Sequence, residues 1–448
     1  MFCELAIVGA EHATDNALER EVFSQDIFSK APCVAEAVVA PADLDQLARV
    51  VAACTERGRA VFPRGGGASY TGGYLASTPS AVIIDLRQMH QILEINTDDM
   101  YVRVQAGVTW LALNEALRER RVRTPFWGVQ SGRLSTVGGA MSQHAANFGS
   151  GVYGPSADSV QSLAVVLADG RVLRTGSAAI DGVAPFYRYF GPDLAGLFLG
   201  DNGALGIKGE ITLRLVLRPP HEDFVSASFR DFETAAAAMS AVARIGIAAE
   251  SFLMDPGLQA ARLKRVSIAQ DLQALSGVAR NSGGLAKGLR AAARVAMGGR
   301  GFVDEQDYSI HFSFEHRYRA AVDEALREAT EVCVRHGGRM LENSIPRVVR
   351  GNPFGPLNIV IGPDGHRWIP THGLVPHSKA AVVQAQVRNV FDARRATLEA
   401  LGVGWVLLAT TVGAGVFLIE PIMTWPDEML PVLPQVKEGV PFHYWPFT

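Results

Sequence analysis

Pro63 to Gly73 reads P-R-G-G-G-A-S-Y-T-G-G, and the reading of these eleven residues decides the fold. Five glycines leave the segment almost bare of side chains, so its backbone N–H groups are free to close around an anion. Val61 and Phe62 before it have the character of a strand end, and V-I-I-D at Val82–Asp85 that of the next strand. A glycine loop between two strands suits a phosphate cradle. It suits a dinucleotide-binding turn poorly, because no apolar helical pattern follows within reach. The spacing is neither G-x-x-x-x-G-K-[ST] nor a clean G-x-G-x-x-G. A flexible surface turn is the plain alternative for this loop taken alone.

Around this loop the first half of the chain alternates helix and strand signals. Pro41–Gly58 is an amphipathic helix with an acidic start and a glycine stop, and Thr109–Arg120 is a second helix. Strands are expected at Ala60–Pro63, Ala81–Leu86 and Tyr101–Val104. Ser162–Leu167 and Arg171–Arg174 form a pair joined by the turn A-D-G. Pro219-Pro220 marks a boundary, after which alanine-rich helices dominate.

The 448 residues, 48% hydrophobic and 19% charged, describe an ordinary globular chain with room for two or three cores. A net charge of −3 gives no electrostatic case for nucleic acid. Cys3, Cys33, Cys54 and Cys333 lie far apart, which suggests reduced thiols in a cytoplasmic protein and no metal site. Leu401 to Ile419 carries no charge, but four glycines and two threonines break it into two buried strands, so no transmembrane segment is expected. Gly277–Gly301 is basic without acidic residues. It reads as a solvated surface or, alternatively, as a contact for a partner or a membrane surface.

A second motif, Ser131 to Gly154, reads S-G-R-L-S-T-V-G-G-A-M-S-Q-H-A-A-N-F-G-S-G-V-Y-G. P-R-G-G-G-x-S, S-T-V-G-G, Y-G-x-x-x-D-x-V, A-D-G and L-G-I-x-x-E follow one another in that order. Together they resemble the FAD-linked oxidases of the vanillyl-alcohol oxidase / p-cresol methylhydroxylase superfamily, with its D-lactate and glycolate dehydrogenases. The resemblance implies an α+β fold. A two-subdomain FAD-binding domain (1–220, core about 30–220) would precede an α/β cap domain for the substrate (221–448). The family's C-terminal N-P-G-x segment is absent, and the chain stops at P-F-H-Y-W-P-F-T with a short return, as either a truncated or a divergent member would.

The same resemblance assigns roles. Pro63, Arg64, Gly65, Gly66, Gly67, Ala68, Ser69, Tyr70, Thr71, Gly72 and Gly73 would wrap the FAD pyrophosphate. Ser135, Thr136, Gly138 and Gly139 would run along the ribityl chain and flavin, with Asn147, Gly151 and Tyr153 nearby, and Gly206 and Ile207 would touch the adenine side. Asp158 is either part of this set or a plain turn. Covalent linkage in some members uses positions that resemble Ala68 and Leu134 here, so the flavin is expected to be noncovalent; His144 reads as a hydrogen-bonded core histidine.

Catalytic candidates come from the second half. H-R-W-I-P-T-H-G-L-V-P-H-S-K (His366–Lys379) offers His372 and His377 as general bases, metal ligands with His366, or loop residues. Arg347 and Arg350 are candidates to hold a substrate carboxylate, or lie at the surface. L-I-E-P-I-M-T-W-P-D-E (Leu418–Glu428) also resembles the D-lactate dehydrogenase-like branch, while the H-x-G-D-G-N-x-H element of many hydroxy-acid members is absent. The expected activity is oxidation of a small 2-hydroxy acid, with electrons passed to a carrier protein, a quinone or oxygen. The alternatives are a phenolic alcohol in a pocket lined by Phe354, Trp368 and Tyr308, or a flavin-binding subunit without its own catalysis. A homo-oligomer or a partner subunit is expected, cytoplasmic or peripheral at the membrane.

Overall fold

The computed structural model describes residues 3–265, 306–355 and 366–428. The basic stretch Gly277–Gly301 and the segment Pro441–Thr448 lie outside the described residues.

The glycine loop leaves the strand Val61–Arg64, which pairs in parallel with Val82–Asp85; that strand pairs in parallel with Ala37–Val39 on its other side. Parallel neighbours need a crossover. The helix Leu44–Glu56 carries the chain from Ala37–Val39 to Val61–Arg64, leaving between them the place that Val82–Asp85 fills, and it is started by Asp43, whose carboxylate accepts from the Gln46 N–H at 2.8 Å. Leu47, Val50, Val51 and Cys54 recur at helical spacing and are buried, which fixes the face laid on the sheet.

A second, five-stranded antiparallel sheet runs in the order Ile92–Asn96, Tyr101–Gln105, Ile207–Arg214, Val160–Val166, Val172–Arg174. Its last two strands are the pair expected around A-D-G. Both sheets close on one core with Leu47, Ile84, Val104, Trp110 and Val165, which also takes in Phe354 from far along the chain.

Beyond Pro220 the chain builds one antiparallel sheet in the order Arg339–Met340, His221–Phe229, Tyr308–His316, Glu250–Met254, Gly404–Val412, Val416–Trp425, Arg367–Pro370. Gly373–Pro376 also pairs with Val416–Trp425. Period-two alternation splits each strand between two faces. Tyr308, Ile310, Phe312 and Phe314 join Met239, Val332 and Phe417 in a core with the helices Phe232–Ile245 and Arg319–Arg335. The alternate residues, including Glu250 and Glu315, turn to the other face and meet the N-terminal body: the Gly149 N–H donates to Glu250 Oε1 at 3.0 Å, and Gly151 N–H to Ala249 O at 3.0 Å. The uncharged run Leu401–Ile419 falls on two of these strands, as read from its glycines. Among the described residues no helix is long and apolar enough to cross a membrane.

Candidate functional site

The loop after Arg64 lies backbone to backbone on the second motif. A Cβ on Gly66 would run into the Leu134 carbonyl, and Gly67 sits at φ +68°, so neither position accepts a side chain without displacement. One on Gly65 would stand 2.5 Å from Thr136 Oγ1. The N–H groups of Gly66, Gly67 and Ala68 have no acceptor among the described residues. A row of unspent N–H donors in a cleft too tight for Cβ atoms is what an anionic diphosphate requires.

The loop is tied from behind. Asp26 is buried; its carboxylate accepts from the Phe28 and Ser29 N–H groups at 2.7 Å and from Gly72 N–H at 3.0 Å. Burial raises its pKa, and those three N–H groups and Arg64 pull the other way. Ile27 N–H reaches Ser69 O at 3.2 Å, while Gln143 Nε2 donates to Ser69 Oγ and Thr71 Oγ1 at 3.0 Å each. Arg64 is a strut: buried, it donates to Phe23 O at 2.6 Å and Gln25 O at 3.2 Å and lies 5.0 Å from the Tyr74 ring centre.

Two further segments converge here. Thr136 caps the short helix Val137–Ser142 by accepting from Gly139 N–H, Ser135 and Ser131 share a hydroxyl bond of 2.5 Å, and Gly138 N–H donates to Ala106 O at 2.9 Å. From the third segment, Gly200 and Asn202 N–H groups donate to Met141 O and Ser142 O at 2.9 Å. Gly203 leaves room for Pro63, whose Cγ would lie 2.6 Å from a Cβ there, and Gly73 meets Asn202 Oδ1 in the same way at 3.2 Å. Gly206 packs beside Val165 where the buried Ile207 opens its strand.

Other sequence assignments land elsewhere. Asn147 makes the turn into the helix Ser150–Tyr153, Gly151 is pressed on the Ala248–Ala249 backbone of the C-terminal half, and Tyr153 lies 5.5 Å from Arg123 and 5.8 Å from Arg214 within the N-terminal half. Asp158 is exposed in a single 3-10 turn. His144 is not a core histidine: it is exposed, at φ +49°, because the chain reverses there to bring Gly200 against its ring.

Nor does Arg350 point at open space. Its Nη1 is paired with Glu250, its Nη2 with Glu315 and its Nε with Glu222 at 3.3 Å, and it lies 4.8 Å from the Trp127 ring centre. Arg123 holds the other side of Glu315. Burial lowers the Arg350 pKa and Glu250 and Glu222 more than restore it, leaving it raised. This is an interdomain hub whose guanidinium is committed to the protein's own carboxylates. Arg347 donates to Asp223 Oδ1 at 2.9 Å over the Phe224 ring. Phe354 and Tyr308 are core residues, Phe354 against Trp127 and Phe148, and Tyr308 among the helices with its hydroxyl on Arg388.

His372 and His377 part company. His377 bonds Ser240 Oγ at 2.9 Å and lies edge-on to Phe417, on the helical side; burial, and then Arg244, lower its pKa. His372 sits between two registers that both pair with Val416–Trp425, Pro370 with Ile422 and Gly373 with Ile419, so it falls opposite Glu420. The residue is exposed as a whole, yet its surroundings desolvate the ring enough to lower its pKa. Among the described residues no three His, Cys, Asp or Glu side chains gather as a metal set.

Glu420 escaped the sequence reading. Phe417 and Ile419 face the helices, whereas Glu420 faces the N-terminal body, where burial pushes its carboxyl up to about 7. Its charge acts on Tyr70 of the glycine loop, whose phenol is raised first by burial and then by Glu420.

Residues 35–176 match a family described as an FAD binding domain. The chain is 31% identical over 256 residues to glycolate oxidase subunit GlcD of Bacillus subtilis, covering 57% of this chain and 53% of that protein. It is 33% identical over 223 residues to the mitochondrial D-lactate dehydrogenase [cytochrome] of Arabidopsis thaliana, covering 50% and 38%. These alignments span about half or less of the relatives' own length. Among solved structures, substrate-bound p-cresol methylhydroxylase superposes with a TM-score of 0.70 at 17% identity over 97% of this chain and 83% of that one. Alkyldihydroxyacetonephosphate synthase gives 0.69 at 14% over 97% and 79%. The fold is therefore of the p-cresol methylhydroxylase type, and the cofactor is FAD, whose diphosphate suits the unspent donors and bare backbone of the cradle.

Proposed function

We propose that this protein, with FAD bound by its N-terminal domain, is a dehydrogenase that oxidises a small 2-hydroxy acid. The observation that carries the proposal is the junction itself: three glycine-bearing segments meet in one cradle, and the face of the C-terminal sheet turned toward it presents Glu420 opposite His372 beside Tyr70. Relatives named glycolate oxidase subunit and D-lactate dehydrogenase direct the substrate choice to hydroxy acids.

Gly66, Gly67 and Ala68 would hold the diphosphate through their N–H groups, with Ser135, Thr136 and Gly139 bordering the rest of the cofactor. Ala68 and Leu134 offer no nucleophile, so attachment is noncovalent. Bound FAD supplies a two-electron acceptor for a hydride from the carbinol carbon. The chain's own residues orient the substrate, exclude water under the C-terminal sheet and take the hydroxyl proton. A relative named as a subunit favours a partner that carries the electrons onward. The phenolic alternative loses support because Phe354 and Tyr308 are spent in the cores.

The test is anaerobic. Purified protein supplied with FAD should show the yellow flavin absorbance, and D-lactate or glycolate should bleach it while vanillyl alcohol leaves it unchanged. Bleaching by vanillyl alcohol alone would overturn the substrate class, and colour that no substrate bleaches would leave a binding subunit.

A further inference from the structure

Glu420 is out of place for a structural carboxylate. It lies within the apolar run L-I-E-P-I-M, on a strand flanked by Gly404–Val412 on one side and by Arg367–Pro370 and Gly373–Pro376 on the other. Its neighbour across the first pair is Leu408, which belongs to an apolar patch with Met254, Val406 and Ile422. On the second side the pairing breaks between Pro370 and Gly373, and counting along the chain sets His372 level with Glu420. Among the described residues its carboxyl makes no hydrogen bond and no ion pair. The other enclosed carboxylates of this interface, Glu250 and Glu315, are both tied to arginines.

A carboxyl taken out of water without a partner is costly to keep charged, and a fold has no structural reason to retain one. Glu420 nevertheless keeps part of its surface accessible, as a group that meets a small molecule must. It faces Tyr70, which sits two residues from Ala68 in the cofactor loop. Of the elements packed around it, the glycine loop contributes the Tyr70 phenol, the strand Gly404–Val412 contributes apolar Leu408, and the chain before Gly373 contributes His372. Tyr70 is thus the titratable group on which its charge acts, while His372, exposed, lies level with it along the neighbouring chain.

We infer that Glu420 is the proton acceptor of the site, taking the hydroxyl proton of the substrate, with Tyr70 and His372 as polar walls that position it. This rests on the reading of the chain as a flavin-dependent dehydrogenase. The substrate O–H bond breaks and its proton goes to the Glu420 carboxylate. The C–H electron pair leaves as hydride to the flavin named above, and the carbinol becomes a carbonyl, so one proton and one hydride are removed in all. A carboxyl that titrates near neutrality is well matched to this task, being ionised when the substrate arrives and basic enough to hold the proton. His372, with its pKa lowered, stays neutral at pH 7 and leaves the charge to Glu420.

The experiment compares wild type with Glu420→Gln, near-isosteric and unable to accept the proton, and with Glu420→Asp. Flavin content and thermal midpoint establish that each variant folds and holds FAD. Anaerobic bleaching by the best hydroxy acid is then followed from pH 5 to 9. Wild type should accelerate as pH rises through about 7 and level off. E420Q should be slower by about 10²- to 10⁴-fold and lose that rise, while E420D keeps it at a reduced rate. Infrared spectra give a readout apart from turnover: a carboxylic C=O band should vanish across the same pH range in wild type and be missing from E420Q. Wild-type bleaching rates in E420Q, or a pH rise that survives in it, would overturn the inference and leave the proposed function standing. A wild type that no hydroxy acid bleaches would instead remove the proposed function, and this inference with it.

Discussion

Replacing Arg350 with methionine tests how the two halves of the molecule are held over the cradle. Methionine keeps much of the apolar stem that lies on Trp127 but removes the charge between Glu250 and Glu315. In the hub the side-chain exposures are 9% for Arg350, 9% for Glu250, 7% for Glu315 and 3% for Arg123. Of the two enclosed carboxylates, Glu315 would then keep only Arg123 and Glu250 only the Gly149 N–H, and breaking one partner of such a buried cluster costs about 3–5 kcal/mol. The cation–π contact with Trp127 is worth on the order of 1–2 kcal/mol and is lost with it. For domains of this size the combined loss lowers the thermal midpoint by roughly 8–28 °C, measurable by calorimetry at pH 7. Glu250→Gln supplies the internal check, because its amide oxygen still accepts from Gly149 N–H. The double variant should be less destabilised than the two single effects added together by about 1 kcal/mol or more. A midpoint for R350M within about 1 °C of wild type, or strict additivity with E250Q, would refute the hub as a stabilising junction.

Three more outcomes follow from the same geometry. Glu420 holds its proton in the fold up to about 7, against an ordinary 4.5, so the folded form binds a proton that the unfolded chain has lost, and stability falls as pH climbs between those values. E420Q should therefore be more stable than wild type at pH 8 by up to about 3 kcal/mol and equal to it at pH 4, as read from urea midpoints. Asp26→Ala leaves three N–H groups without their acceptor and frees Gly72, so it should cost about 1–3 kcal/mol and weaken FAD binding, followed by fluorescence titration. His377→Ala removes a bond to Ser240 on the helical side, and should lower stability by about 1 kcal/mol while leaving the bleaching rate within about twofold of wild type.

What the sequence disclosed, and what it hid, follows from how local each feature is. The cradle was legible because Gly66 and Gly67 answer to backbone constraints, a carbonyl pressed against one and a left-handed turn at the other, that only glycine meets. The helix Leu44–Glu56 and the strand pair around A-D-G were legible through capping and periodicity. Asp26 was not, since its N–H donors come from a turn with no motif and from a loop 46 residues away. Arg350 read as a substrate clamp because its three carboxylates, Glu222, Glu250 and Glu315, meet it only in the folded sheet. Residues 372 and 377 are separated by an odd number, which sends them toward opposite faces in extended chain, and Glu420 is a lone charge inside an apolar strand.

Pro63–Gly73 is the proposed seat of FAD, and the flavin content of Gly66→Ala measures that most directly. Wild type reconstituted with FAD should carry close to one flavin per chain by absorbance. In G66A a single methyl collides with the Leu134 carbonyl, so flavin should be lost while circular dichroism stays as in wild type. A G66A protein that keeps its full complement of flavin would place the cofactor elsewhere and contradict the account.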